Sequence, residues 1–258
     1  MAICITGMHR SGTSLVANVL RLCGLYLGEE SDFMPATSDN QNGYWENRKF
    51  VTVNDEILKE LGGMWDLPPA TSDGWAEEGR FSCLRLKCER LLSEFSAHEP
   101  WGWKDPRSCL TLPFWRSLGT LKTPFLYGRG AKLRIVLCVR NPFEVFYSLR
   151  DREHTSNRAG LNLWLIYNQA VLDSTLPEDR IVTHYEAYFS DARQETRRML
   201  NLLDLPATEE VIEQGISAIS ANLRHHQIGD LKSAEVIDPA IANLYQALCS
   251  EADYRPAS

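Results

Sequence analysis

Two short stretches of the chain carry residues able to hold anions. The first is Gly7-Met8-His9-Arg10-Ser11-Gly12-Thr13-Ser14, set between an apolar run and a helical one. Glycines let backbone N–H groups close around an anion, and the N-terminus of the following helix favours negative charge. His9, Ser11, Thr13 and Ser14 add polar side chains to that cradle. A nucleoside-triphosphate loop, G-x-x-x-x-G-K-[ST], has lysine directly after its second glycine. Here Thr13 takes that place, and the cation moves inside the loop to Arg10. Its planar fork suits the oxygens of phosphate or sulfate. The second stretch is Arg140-Asn141-Pro142-Phe143-Glu144-Val145-Phe146-Tyr147-Ser148. Arg140 ends an apolar run and Ser148 falls two turns into the next helix, so the pair can grip a second phosphate away from the loop.

These residues need elements to place them. Residues 3–6 read as a strand and 13–22 as a helix, with Leu15, Val16, Val19 and Leu20 on one face and Gly24 as its stop. Residues 29–47 are rich in Asp, Asn, Ser, Pro and Gly and read as a long loop. The stretch 29–80 is the expected acceptor-binding loop, since long loops inside a compact domain tend to be functional. A helix is expected at 81–95, a strand at 101–104 and irregular chain at 119–132. The apolar run 133–139 suits a strand buried on both faces of a parallel sheet. Asn141, Pro142 and Glu144 then fill the N-cap, N1 and N3 positions of a helix. Further helices are expected at 161–176, 192–203, 208–219 and 238–249, with a short strand at 181–184. Strands alternating with helices imply an α/β fold, a P-loop-like parallel sheet flanked by helices on both faces. One domain covers 1–258, and ligands bind at the carboxyl ends of its strands.

Composition narrows the function. A net charge of −7 argues against a nucleic-acid surface, though a local loop still concentrates positive potential. No apolar stretch approaches the roughly 20 residues of a membrane helix, and no signal peptide is visible. The seven cysteines include no C-x-x-C pair. They read as reduced thiols, which favours the cytoplasm.

Taken together, the two stretches resemble the sulfotransferases that use 3′-phosphoadenosine 5′-phosphosulfate (PAPS). His9-Arg10-Ser11-Gly12-Thr13-Ser14 is similar to the arginine form of that family's 5′-phosphosulfate loop. Arg140 and Ser148 fall on the arginine and serine of its R-N-P/A-x-[DE]-V-x-x-S motif, which binds the 3′-phosphate. Val182-Thr183-His184-Tyr185-Glu186 followed by Asp191 resembles its Y-E-x-x-x-x-D segment, which implies Tyr185 beside the adenine. Trp103-Lys104-Asp105-Pro106-Arg107 resembles K-x-H-x-P, which implies that Lys104 helps hold the sulfuryl group. The resemblance runs from about residue 3 to about residue 205. It departs from the small-molecule branch at the histidine base, where Asp105 and Pro106 stand instead. The arginine-bearing loop looks closer to the bacterial and Golgi-type branch, in which a glutamate commonly serves as base. The C-terminal glycine-rich segment is also missing, with Arg224 the residue left to approach the 3′-phosphate.

The implied reaction moves a sulfuryl group from PAPS to an acceptor hydroxyl on a carbohydrate, glycolipid or related metabolite, with no metal. Arg10, Lys104 and the loop amides meet the charge growing on the leaving oxygen. Three carboxylates compete for the acceptor proton: Glu46, flanked by aromatics that keep water away, Glu30, and Asp105, which the neighbouring lysine weakens as a base. His154 is an outside candidate. Tyr44-Trp45, Trp65, Trp75 and Trp101-Gly102-Trp103 supply aromatic faces for an acceptor cleft. Two other readings stay open. A P-loop kinase for a small metabolite would need magnesium and leaves Arg140 with Ser148 unexplained. A nucleotide-binding module without turnover would keep the pocket and lack a working base.

Overall fold

The computed structural model describes residues 1–37, 43–120, 133–153, 157–219 and 238–256. Arg224, His154 and most of the stretch 119–132 lie outside them. Among the described residues, four parallel strands form the sheet: β1 (Ala2–Thr6), β2 (Trp101–Lys104), β3 (Leu133–Val139) and β4 (Arg180–His184). Their order is β2-β1-β3-β4, with Cys4 paired to both Trp103 and Ile135. The chain leaves β1 for one edge and β3 for the other. The crevice of such a sheet therefore opens between the carboxyl ends of β1 and β3, where the two candidate stretches begin.

The helices in chain order are α1 (Thr13–Leu22), α2 (Arg48–Glu60), α3 (Ser82–Phe95), α4 (Ser108–Thr120), α5 (Pro142–Glu153) and α6 (Asn157–Ser174). Then come α7 (Ala187–Ser190), α8 (Ala192–Leu202), α9 (Glu209–Ile216) and α10 (Pro239–Glu251). Alternate strand residues feed two cores, as the pleat requires. Ile3, Ile5, Val136 and Cys138 pack with α1, α8 and α9. Ala2, Cys4, Ile135 and Leu137 pack with α2 to α6 and α10. The second core needs small residues on β1 because an aromatic layer sits there. Phe50 stacks on Trp103 at 5.0 Å, and Trp115 lies 5.1 Å from the same indole. Both indole N–H groups are satisfied: Trp103 donates to Ser108 Oγ (3.1 Å) and Trp115 to Asn54 Oδ1 (2.8 Å).

Two helices occupy stretches that the sequence reading leaves without one. The region 29–80 is not continuous loop, because α2 runs through it. Asn47 caps α2 by accepting from the Lys49 N–H at 3.0 Å, and Phe50, Val53, Asn54 and Ile57 bury one face. The second, α4, carries Pro113 in its interior. A proline there lacks an N–H and normally breaks a helix. Burial of Leu112, Phe114, Trp115 and Leu118 outweighs that loss. Trp75, Trp101 and Trp103 are fully or almost fully buried, so they build the core and not a cleft.

Candidate active site

The loop after β1 is held by steric demands that only some residues meet. Gly7, Arg10 and Gly12 all have positive φ, at 143°, 69° and 89°. A Cβ on Gly7 would lie 2.3 Å from the Cys138 carbonyl oxygen, and one on Gly12 would lie 2.3 Å from the Tyr185 ring. The backbone therefore passes tightly between β3 and Tyr185 before entering α1. The Ser11 N–H donates to the Met8 carbonyl (3.0 Å) and the Val16 N–H to Gly12 (3.2 Å). The first-turn amides between them have no acceptor inside the helix. The Ser11 hydroxyl is buried, only 1% exposed, without a hydrogen-bond partner. A buried unsatisfied hydroxyl is costly. Thr13 is buried beside it.

Across the crevice, Arg140 closes β3. Its Nε donates to Glu144 Oε2 at 2.8 Å, and its NH1 reaches the Arg10 carbonyl at 3.4 Å. Its guanidinium lies 4.4 Å from the centre of the Tyr185 ring, a cation–π contact. Asn141 caps α5 through the Phe143 N–H (2.9 Å). The Trp164 indole N–H donates to the Arg140 carbonyl at 3.1 Å. Arg10 Nε donates to Ser148 Oγ at 2.8 Å. Residues 138 positions apart are thus in direct contact, and the two candidate stretches form one surface. Tyr185 joins them by touching Gly12 on one side and Arg140 on the other.

A second cluster sits at the end of β2. Lys104 Nζ donates to Glu46 Oε1 at 2.6 Å and to Ser14 Oγ at 3.3 Å. The ion pair is nearly dry, with side chains 2% and 9% exposed. Arg107 NH1 lies 3.7 Å from the other Glu46 oxygen and also pairs with Asp105 and Asp55. A buried pair brings little net stability, because desolvation offsets the Coulomb gain. Asp105 is fully buried and accepts from Asn54 Nδ2 (2.8 Å), the Arg107 N–H (2.9 Å) and Arg107 NH1 (3.0 Å). Glu30 is exposed on a short 3₁₀ turn, Glu30–Asp32. The structure gathers His9, Arg10, Ser11, Gly12, Thr13, Ser14, Glu46, Lys104, Asp105, Arg140, Ser148 and Tyr185 around the carboxyl ends of the strands. It also brings in Asn54, Arg107 and Tyr167, to which the sequence reading gives no site role, and Trp65, one of the aromatics expected in the acceptor cleft, against His9. Arg107 has a sequence signal, because it closes the quoted Lys104–Arg107 motif.

Neither the protein-family models nor the curated proteins include a match to this chain. Solved structures do match. The sulfotransferase domain from the curacin biosynthetic pathway is similar over 98% of both chains, with a TM-score of 0.51 and 16% identity. Sulfotransferase STF9 from Mycobacterium avium is similar over 100% of this chain and 78% of its own, with a TM-score of 0.52 and 14% identity. The chain therefore has the sulfotransferase fold, a parallel sheet of four described strands flanked by helices. Among the described residues, no helix is long and apolar enough to cross a membrane.

Proposed function

We propose that the protein transfers the sulfuryl group of PAPS to a hydroxyl of a carbohydrate, glycolipid or related metabolite. The observation that carries this reading is the convergence of Arg10, Ser148 and Arg140 on one surface between β1 and β3. A nucleotide with anionic groups at both ends of its ribose needs two cations that are close but separately anchored. Arg10 rides on the glycine loop, and Arg140 is fixed by Glu144 and Trp164. The loop amides, Ser11, Thr13 and Ser14 would take the 5′ end, and Arg140 with Ser148 the 3′-phosphate. Tyr185 would flank the adenine.

In the reaction, the acceptor oxygen forms a bond to sulfur as the bond from sulfur to the 5′-phosphate oxygen breaks. The acceptor proton goes to Glu46, and 3′-phosphoadenosine 5′-phosphate leaves. Arg10 and Lys104 stabilise the charge on the departing oxygen, a term worth about 3 kcal/mol per well-placed donor. Lys104 is paired to Glu46 before the donor arrives. Movement of Lys104 towards the donor's oxygens would leave Glu46 with only the more distant Arg107, 3.7 Å away, and able to act as base. Asp105, enclosed by Asn54 and Arg107, positions the cluster and takes no proton.

Radiolabelled PAPS with a pool of hydroxyl acceptors in EDTA tests the reading. Labelled product is expected from the wild type and is lost in Arg10→Ala. Transfer that requires magnesium and ATP, with no product from PAPS, would establish the kinase reading in its place.

A further inference from the structure

Lys104-Asp105-Pro106-Arg107 puts two cations beside Glu46, and the fold holds them differently. Lys104 is a single ammonium on a flexible stem, shared between Glu46 Oε1 and Ser14 Oγ at the start of α1. Arg107 is pinned on both sides. Its NH1 donates to Asp105 Oδ1 at 3.0 Å, and its Nε lies 2.8 Å from Asp55 Oδ1 on α2. Asp105 is itself fixed. Asn54 Nδ2 and the Arg107 N–H donate to its side chain, and its own N–H donates to the Ile5 carbonyl of β1 at 3.1 Å. Asn54 in turn accepts from the Thr111 hydroxyl (2.6 Å) and the Trp115 indole (2.8 Å), both on α4. An arriving anion can therefore draw the ammonium away, while the guanidinium stays.

The groups around Glu46 come from four elements. Lys104 belongs to β2, Asp105 and Arg107 to the turn after it, Asp55 to α2 and Ser14 to α1. His9, on the glycine loop, adds no charge: burial, then Arg107 and Lys104, hold it well below its ordinary pKa. Burial alone works against the charge on Arg107, but Asp105, Glu46 and Asp55 raise its pKa above the ordinary value. Once Lys104 turns to the donor, Arg107 is, among the described residues, the cation left beside Glu46. A buried carboxylate without a counter-charge takes up a proton and is no longer a base. At 3.7 Å the guanidinium supplies that charge without closing a direct hydrogen bond on Glu46 Oε2.

We infer that Arg107 is a positioning residue, a fixed counter-charge that keeps Glu46 ionised after Lys104 moves to the donor. The inference rests on the sulfotransferase reading and deepens it by naming the residue that keeps its base competent.

Labelled PAPS with the acceptor pool is followed from pH 6 to pH 9 in the wild type, Arg107→Met and Arg107→Lys, with folding checked by circular dichroism at each pH. The rate of Arg107→Met relative to the wild type should rise at least about tenfold across that range, because raising the pH strips the proton that the missing cation no longer repels. Arg107→Lys keeps the charge and should give a nearly flat ratio. A merely structural loss is the same at every pH, so a flat ratio for Arg107→Met would overturn the inference. A second measurement needs no Arg107 variant to fold. Calorimetry at pH 7 in two buffers of different ionisation enthalpy counts the protons taken up as 3′-phosphoadenosine 5′-phosphate binds. The wild type and Glu46→Gln should give the same count. An additional proton in the wild type would mean that Glu46 is neutralised when Lys104 leaves, and the inference would fall while the donor site stands. Absence of nucleotide binding would remove the sulfotransferase reading, and this inference with it.

Discussion

At the residue scale, the Lys104–Glu46 pair separates stability from chemistry. Removing one partner leaves the other charge buried, which typically costs about 3–5 kcal/mol. Lys104→Met should therefore lower the denaturant midpoint clearly, and so should Glu46→Gln to a lesser degree, since amide hydrogen bonding remains. The double variant should recover much of the stability, because a neutral pair needs no counter-charge. It should recover none of the turnover, expected to fall at least about 100-fold in every case. Recovered turnover in the double variant would show that the pair is only structural. The sequence brought Lys104 and Glu46 to notice separately, one by a motif and one by its aromatic neighbours. Their contact spans 58 positions and closes only through the fold. Arg107 stayed without a role for the same reason: its partners Glu46 and Asp55 come from the end of a loop and from α2. Asp105 competed in sequence as a base weakened by the adjacent lysine, and its oxygens are enclosed by Asn54 and Arg107.

At the element scale, the glycine loop is the most sensitive part. Gly12→Ala places a methyl group against the Tyr185 ring at a φ of 89°. We expect it to abolish the thermal shift with 3′-phosphoadenosine 5′-phosphate while circular dichroism stays wild-type. An unchanged shift would mean that the Gly12–Tyr185 contact does not shape the nucleotide site. Asn47→Ala removes the α2 cap and should cost about 1 kcal/mol by denaturant unfolding. Elements with strong local signals were legible. The apolar run of β3, the Asn141-Pro142 start of α5 and the face of α1 each needed only neighbours in sequence. α4 was hidden because Pro113 reads as a break. α2 was hidden because its β-branched residues Val51, Thr52 and Val53 blur the helical period, although Phe50, Val53, Asn54 and Ile57 do share a face.

At the scale of the whole molecule, stability should depend on pH through buried neutral histidines. His184 is 1% exposed, and its Nδ1 accepts from the Glu186 N–H at 3.2 Å. That leaves Nε2 as the donor to the Tyr245 hydroxyl at 3.0 Å, which ties β4 to α10. Burial, then the charge of Arg140, pushes its pKa from 6.5 down to about 3. The unfolded chain therefore binds a proton that the folded chain refuses between those two values. Stability is complete above pH 6.5 and is lost as pH falls towards 3. His9 acts in the same direction. Melting temperature should fall between pH 7 and 5, and less steeply in His184→Gln. An equal slope in that variant would assign the acid sensitivity elsewhere.

The central claim is that Arg10 and Arg140 read opposite ends of one adenosine. Calorimetric titration with 3′-phosphoadenosine 5′-phosphate and with AMP, on the wild type and on Arg140→Ala, tests it most directly. The account predicts that the wild type binds the bisphosphate at least about tenfold more tightly than AMP. Arg140→Ala should erase that preference while leaving AMP binding nearly unchanged. Equal affinity of the wild type for both nucleotides would contradict it.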